Sequence, residues 1–336
     1  MTAIKLLPLL GLGFTSLALC APPQVAPQGR FRLPSGSSAL VYPGSEGPAL
    51  HVLTPRGEAQ GAWLRAGSSW LGSLGDSHLE ARPDRGGLLV RVRPTRGPAR
   101  SERWKPISVR IPVSVAVLQG EGPAALSPDD VREAQRAIRE QLVQVYAPVG
   151  LEFELAPPVP VARARADANG DGRLDKDEVR ALRDHLERIG LKQPGRVVLA
   201  LTATPIVGTG CRGWTLGDGV ATPHTLTDHN DNFSIVSLRY LTGHHTVAHE
   251  VGHQFGLDDL GRENRRRLAE PARGDHLMDS GGEGFYLDPE ALRHMHRVTS
   301  HQDLGLAGRR TVAPLPAAAP AQPVQGLGGA PVVAPR

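Results

Sequence analysis

The stretch HTVAHEVGHQFGLDD, His245 to Asp259, decides how the rest of the chain is read. On a helix, His249 and His253 stand four residues apart and project both imidazoles from one face. Two neutral imidazoles one turn apart reach a single zinc ion at about 2.0–2.1 Å. Glu250 neighbours the first of them and cannot bind the metal from the same direction. It can instead take a proton from water that the metal has acidified. Gly256 permits the left-handed turn that ends a helix and reverses the chain. The reversal returns Asp259 over the metal, with Asp258 as a competing neighbour. A solvated surface helix is the plain alternative, since a bare His-Glu-x-x-His arises by chance. Gly256, Asp259 and the apolar strand-like FSIVSLRYL (Phe233–Leu241) running into the helix favour zinc.

Upstream, SVRIPVSVAVL (Ser108–Leu118) and RVVLALTA (Arg196–Ala203) read as strands, and LEFEL (Leu151–Leu155) alternates as one. Ser127-Pro128-Asp129-Asp130 opens a helix, with Ser at the cap, Pro at the first position and acids in the first turn. Val131, Ala134, Ile138, Leu142 and Val145 form its apolar stripe. The order strand, helix, three strands, helix predicts an α/β or α+β layout with helices covering one sheet over residues 106–302.

A second motif interrupts that order. DANGDGRLDKDE places Asp167, Asn169, Asp171, the carbonyl of Arg173, Asp175 and Glu178 at positions 1, 3, 5, 7, 9 and 12 of an EF-hand loop. Gly172 stands at position 6, where the chain turns sharply. Oxygens at alternating positions wrap a hard cation of calcium size, so Ca2+ is the expected ligand. The preceding VPVARARA (Val159–Ala166) has no helical stripe, whereas Val179, Leu182, Leu186 and Ile189 form one after the loop. A single unpaired loop reads as a structural clamp.

At 336 residues the chain is long enough for about two domains, and 40% hydrophobic residues suffice for a core. Residues 1–20 have one Lys before an apolar run and a small-residue zone, the layout of a secretory signal, too short for a membrane span. Export, to the medium or the cell envelope, is expected; the run ending in Cys20 leaves a lipid anchor as an alternative. The other cysteine is Cys211, so a disulfide framework is excluded. Residues 21–105 read as a small β-rich region or a loosely ordered pro-segment, and 303–336 as a Pro/Ala-rich tail. The net charge of +4 is carried by scattered arginines, which does not suit a nucleic-acid face.

HEVGHQFGLDD resembles the elongated zinc motif of the metzincin metallopeptidases, and its Asp259 resembles the snapalysin-like variant of it. The resemblance implies a third Zn2+ ligand three residues after the glycine, which is Asp259, and a Met-turn, for which DHLMDSGG offers Met278. It implies an α+β domain with a mixed, twisted sheet and a last helix capped by Asp288-Pro289-Glu290. Tyr286, eight residues after Met278, is the candidate oxyanion helper. The calcium loop is similar to half an EF-hand, as in dockerin-like loops. The expected function is a zinc-dependent endopeptidase acting on protein or peptide substrates, which add as a strand near Gly213–Leu226. The rival is a non-catalytic, calcium-stabilised surface binding protein on the same fold, against which the intact Glu250 argues.

Overall fold

The computed structural model describes residues 28–44, 47–120, 126–207, 212–216, 232–242, 244–260, 276–279 and 284–303. The signal-like segment, Cys20, Cys211 and the tail from residue 304 lie outside the described residues, as does most of the Gly213–Leu226 stretch.

Eight short strands open the chain: β1 Gly29–Arg32, β2 Ser38–Gly44, β3 Gly47–Thr54, β4 Gly57–Ala66, β5 Ser69–Leu74, β6 Ser77–Asp84, β7 Gly87–Pro94 and β8 Arg100–Pro106. Each pairs antiparallel with the next, and β1 closes on β8 through Phe31↔Pro106 and Arg32↔Lys105, making a barrel. Closure removes the exposed edges that short strands would otherwise present. The interior is filled by its own apolar set, with Trp63 and Trp104 buried at its centre 6.1 Å apart. Gly72 makes that filling possible, because a Cβ there would run into the Trp63 ring. This region is therefore β-rich and ordered. Closure gives even the four-residue β1 two partners.

The second domain is built on β9 Val109–Gln119, β10 Leu151–Leu155, β11 Val159–Ala162, β12 Val197–Thr202, β13 Gly213–Thr215 and β14 Phe233–Ser237. The strands run in the order β10-β9-β12-β14-β13, and β11 pairs with the far half of β9 beyond β10. All pairings are parallel except that of edge strand β13, which runs antiparallel to β14. Period-two alternation assigns the two faces. Val113, Val115 and Val117 of β9 and Val197, Leu199 and Leu201 of β12 face one core. Ala116 and Leu118, with Val198 and Ala200, face the other.

Helices cover both faces. Over the first lie α1 Pro128–Tyr146, α3 Thr246–Gln254 and α4 Pro289–Asp303; over the second lies α2 Lys176–Arg188. The α1 start is a capping box, with Ser127 accepting from Asp130 N–H and the Asp130 carboxylate accepting from Ser127 N–H. Ala134, Ile138, Leu142 and Val145 are buried as the stripe requires. The α2 stripe is shorter than its sequence suggests. Val179, Leu182 and Leu186 are buried, but Ile189 is the C-cap and is exposed, because the helix ends before its face comes round again. The strand expected over Phe233–Leu241 likewise stops at Ser237, and Leu238–Tyr240 form a 3-10 turn that redirects the chain into α3.

The barrel is docked on this domain through β2, whose Ala39 and Val41 point into the barrel while Leu40 and Tyr42 join the core under α1 and α4. Among the described residues no helix is long and apolar enough to cross a membrane.

Candidate metal centre

Helix α3 carries the two histidines, and its neighbours fix it in place. Its N-cap residue, His245, makes no side-chain cap. The cap comes from α1: Gln141 Oε1 accepts from Val247 N–H at 3.0 Å and Ala248 N–H at 3.4 Å, while its amide donates to Leu241 O at 2.7 Å. Tyr146 donates to the Ala248 carbonyl at 2.6 Å. Below the helix, Met278 packs so close to Gly252 that a Cβ there would lie 2.7 Å from its Sδ. Gly252 thus leaves room for the Met278 side chain against the helix.

The helix ends in a left-handed turn at Gly256, φ +82. Leu257 N–H donates to Gly252 O at 3.0 Å and Gly256 N–H to His253 O at 2.8 Å, the two bonds of a Schellman motif, with Leu257 buried in the core. This reversal serves the site twice. It places the Leu257 carbonyl 2.7 Å from His253 Nδ1, and it returns Asp259 to the helix. The Leu277 carbonyl of the Met278 turn takes the same part for His249, 2.8 Å from its Nδ1.

A carbonyl only accepts, so both Nδ1 atoms carry the proton and both Nε2 atoms are left as bases. Asp259 Oδ1 lies 3.3 Å from His249 Nε2 and 3.6 Å from His253 Nε2. Ligand atoms of a tetrahedral zinc with bonds of about 2.0–2.1 Å stand roughly 3.3–3.4 Å apart; both Asp259 separations are close to that and the three ligand atoms all lie within 4.8 Å of one another, so the group could hold such an ion. They are the one such group of histidines and acids among the described residues. Burial alone would lower the His249 pKa, but the Asp259 hydrogen bond, Glu250 and the Leu277 carbonyl outweigh it, and the pKa is raised. The pocket draws positive charge. Asp258 is exposed and stands outside the group.

Glu250 is buried beside these ligands, and burial pushes its pKa up against the opposing influence of His249, His253 and a Thr215 hydrogen bond. His276 instead braces the turn that carries Met278. Its Nδ1 accepts from Met278 N–H at 3.0 Å, and its Nε2 lies 3.6 Å from Asp288 Oδ2. Tyr286 bridges to His276 through the backbone, its carbonyl accepts from Leu277 N–H at 2.7 Å, and its ring meets the His276 ring edge-on. Asp288 also caps α4, accepting from Ala291 N–H at 2.7 Å. The residues the sequence did not single out are Gln141, Tyr146, Thr215 and Gly252. None carries a local signal, since each acts on α3 from another element or through a missing side chain.

The acidic loop is formed on the opposite face of the sheet. Asn169 Oδ1 accepts from Asp171 N–H, Asp171 Oδ1 from Arg173 N–H, and Asp175 caps α2 in a box with Glu178. Glu178 Oε1 reaches back to Asn169 N–H at 3.3 Å. Asp167 is buried; Oδ2 accepts from Arg163 at 2.6 Å, while Oδ1 has no hydrogen-bond partner. One carboxylate oxygen of the loop is thus buried without a hydrogen-bond partner, but the loop's acids are not drawn together into a ligand group among the described residues. The loop enters from β11 and a 3-10 turn, Arg163–Arg165, with no helix before it. Leu174 pairs with Ile206 just beyond β12, which ties the loop to the sheet domain.

Residues 175–258 match the family model described as Metallo-peptidase family M12B Reprolysin-like. The match spans α2, β12 to β14 and α3, includes His249, Glu250 and His253, and stops one residue short of Asp259. It supports a metallopeptidase, whose metal is a divalent ion and typically zinc. Among solved structures, the chain is similar to metalloproteinase-II from Bacteroides fragilis, at 12% identity and a TM-score of 0.37, over 78% of this chain and 87% of that one. It is also similar to a chain from a chaperone-substrate complex, at 16% identity and a TM-score of 0.38, over 73% of this chain and 45% of the other. No curated protein matches.

Proposed function

We propose that this chain is an exported zinc-dependent endopeptidase stabilised by calcium. The observation that carries the reading is the convergence of two imidazoles, their tautomers fixed by carbonyls, on the carboxylate of Asp259, with the buried acid Glu250 beside them. When bound, zinc supplies Lewis-acid chemistry, acidifying water and polarising the scissile carbonyl. His249, His253 and Asp259 would hold the ion. Glu250 takes the proton from the attacking water and delivers it to the departing amine nitrogen, as a general base and then a general acid. The substrate lies as an added strand along β13, the end strand of the sheet order. Tyr286 is the proposed helper at the developing oxyanion.

The calcium loop holds Asp167, Asn169, Asp171, Arg173, Asp175 and Glu178 around one ion and clamps α2 to the sheet. The composition of residues 1–20 supports export, with lipidation at Cys20 as the variant form.

The test is metal analysis of the mature protein coupled to digestion of casein and a peptide library. The expected result is about one zinc per chain and cleavage that a chelator stops and added zinc restores. Stoichiometric zinc with no cleavage of any substrate would favour the binding-protein reading instead.

A further inference from the structure

The proposed reaction needs the Glu250 carboxylate held in one orientation, and the groups that hold it lie outside the His-Glu-x-x-His stretch. Thr215 Oγ1, on β13, is 2.6 Å from Glu250 Oε2 and 3.0 Å from the Glu250 carbonyl. It is also 2.7 Å from Ser234 Oγ on β14. Ser234 Oγ lies 2.6 Å from Gln254 Nε2, at the end of α3, and 3.4 Å from the Glu250 carbonyl. The second Gln254 amide hydrogen goes to Val198 O at 3.1 Å, and because that carbonyl only accepts, the amide orientation is fixed.

The donors can be counted through. A carboxylate accepts only, and each hydroxyl has one hydrogen to give. The 2.6 Å contact has the length of a charge-assisted O–H···O⁻ bond, so the Thr215 hydrogen belongs there. The 2.7 Å contact then runs from Ser234 to Thr215, and Ser234 in turn accepts from Gln254. The chain is directional: Gln254 to Ser234 to Thr215 to the carboxylate. Ser234 and Gln254 are fully buried, so no water competes for these bonds. Hydrogen bonds in series also polarise one another.

Gly213 completes the arrangement from the same face of β13, two residues earlier. A Cβ there would lie 2.7 Å from Glu250 Oε1 and 2.8 Å from its Cγ. The edge strand thus offers the carboxylate a hydroxyl on one side and an empty notch on the other. We infer that Thr215 is a positioning residue for the general base, with Ser234 and Gln254 aiming its hydroxyl and Gly213 leaving the carboxylate its space. The inference rests on the peptidase reading, in which Glu250 is that base.

The experiment compares Thr215→Val, Thr215→Ser, Gly213→Ala and Glu250→Gln by kcat, KM, bound zinc and melting temperature. Losing an outer partner of a catalytic group reduces activity about 10–100-fold. Thr215→Val and Gly213→Ala should lower kcat by that factor, keep KM within about twofold and keep stoichiometric zinc. Thr215→Ser should recover most of the rate. In a Glu250→Gln background, Thr215→Val should add no further loss. Parental kcat in Thr215→Val with Glu250→Gln inactive would overturn the positioning role alone; parental turnover in Glu250→Gln would overturn the peptidase reading. Equal losses in the Val and Ser variants, accompanied by lost zinc, would show a merely structural threonine. If Thr215→Val does not fold, Ser234→Ala reads the same chain, and an unchanged kcat there overturns the inference.

Discussion

Asp258 and Asp259 are neighbours of one chemical type, and only geometry separates them. Both are exposed, but Asp259 Oδ1 stands 3.3 Å and 3.6 Å from the two imidazole nitrogens, while Asp258 is outside the ligand group. Asp259→Ala should therefore lose zinc and hydrolysis together, and Asp258→Ala should keep both, as elemental analysis and a peptide assay would read. Zinc kept in the first and lost in the second would reverse the assignment. Glu250 is not a ligand, so Glu250→Gln should keep zinc while hydrolysis falls at least about 10²–10⁴-fold, the usual contribution of a general base. Residual turnover near the parental rate would remove Glu250 from the mechanism.

The helix that carries these residues depends on a cap from another helix. Gln141 satisfies two α3 backbone N–H groups and the Leu241 carbonyl in the buried interior. Gln141→Leu would leave them unpaired at about 1–3 kcal/mol for a lost buried partner, so a lowered urea midpoint together with weaker zinc retention is expected. A midpoint matching the parent would mean that the cap is dispensable. The acidic loop makes a separate claim. A ligand at a hundred times its dissociation constant adds about 2.7 kcal/mol, and extracellular calcium modules bind at about 10⁻⁴–10⁻³ M. Millimolar calcium should raise the melting temperature of the parent but not of Asp167→Ala. A calcium response that survives in the variant would place the ion elsewhere.

Barrel and sheet domain meet at a buried polar chain as well as an apolar one. Ser38 Oγ lies 2.8 Å from His296 Nε2, His296 Nδ1 lies 3.1 Å from His51 Nδ1, and His51 Nε2 lies 3.2 Å from Glu58 Oε2, which also accepts from Arg297 at 2.7 Å. Glu58 only accepts, so His51 carries its proton on Nε2, His296 carries its own on Nδ1, and Ser38 donates to His296. A proton added to His51 sets its Nδ1–H against that of His296, and one added to His296 at Nε2 displaces the hydrogen bond donated by Ser38. Burial lowers both pKa values, helped at His296 by Arg30, His51 and Arg297, and opposed at His51 by Glu58; His296 falls to about 2. Arg293 and Arg297 of α4 add to the depression at His51. Both groups titrate lower in the folded state than in the unfolded one. Their contribution is thus complete above about pH 6.5 and is lost as the pH falls below it, at about 1.4 kcal/mol per unit for a ring kept neutral. Urea midpoints should drop between pH 6.5 and 5, and His296→Asn should flatten that drop. An unchanged slope would show that the latch does not titrate with folding.

Much of the candidate metal site was written locally. His249, Glu250 and His253 lie within five residues on one helix, Gly256 carries the turn that ends it, and the twelve-residue acidic loop needs only its own spacing. Periodicity likewise gave β9, β10, β12, α1 and the alternation that sorts the sheet residues between two cores. Local pattern failed where an element ends through its packing, as at Ile189 and at Ser237, and where strands are too short to signal closure, as in the barrel. The spacing after Gly256 and the family resemblance pointed to Asp259 over Asp258, and the chain after the Schellman turn brings Asp259 to the two imidazoles. Gln141, Thr215, Ser234, Gly252 and the His51–His296 pair had no signal at all, because each acts on a partner distant in the chain. Spacing fixes which side chains share a face of one helix; the direction of a hydroxyl, the tautomer of an imidazole and the room beside a carboxylate exist only once separate elements have packed.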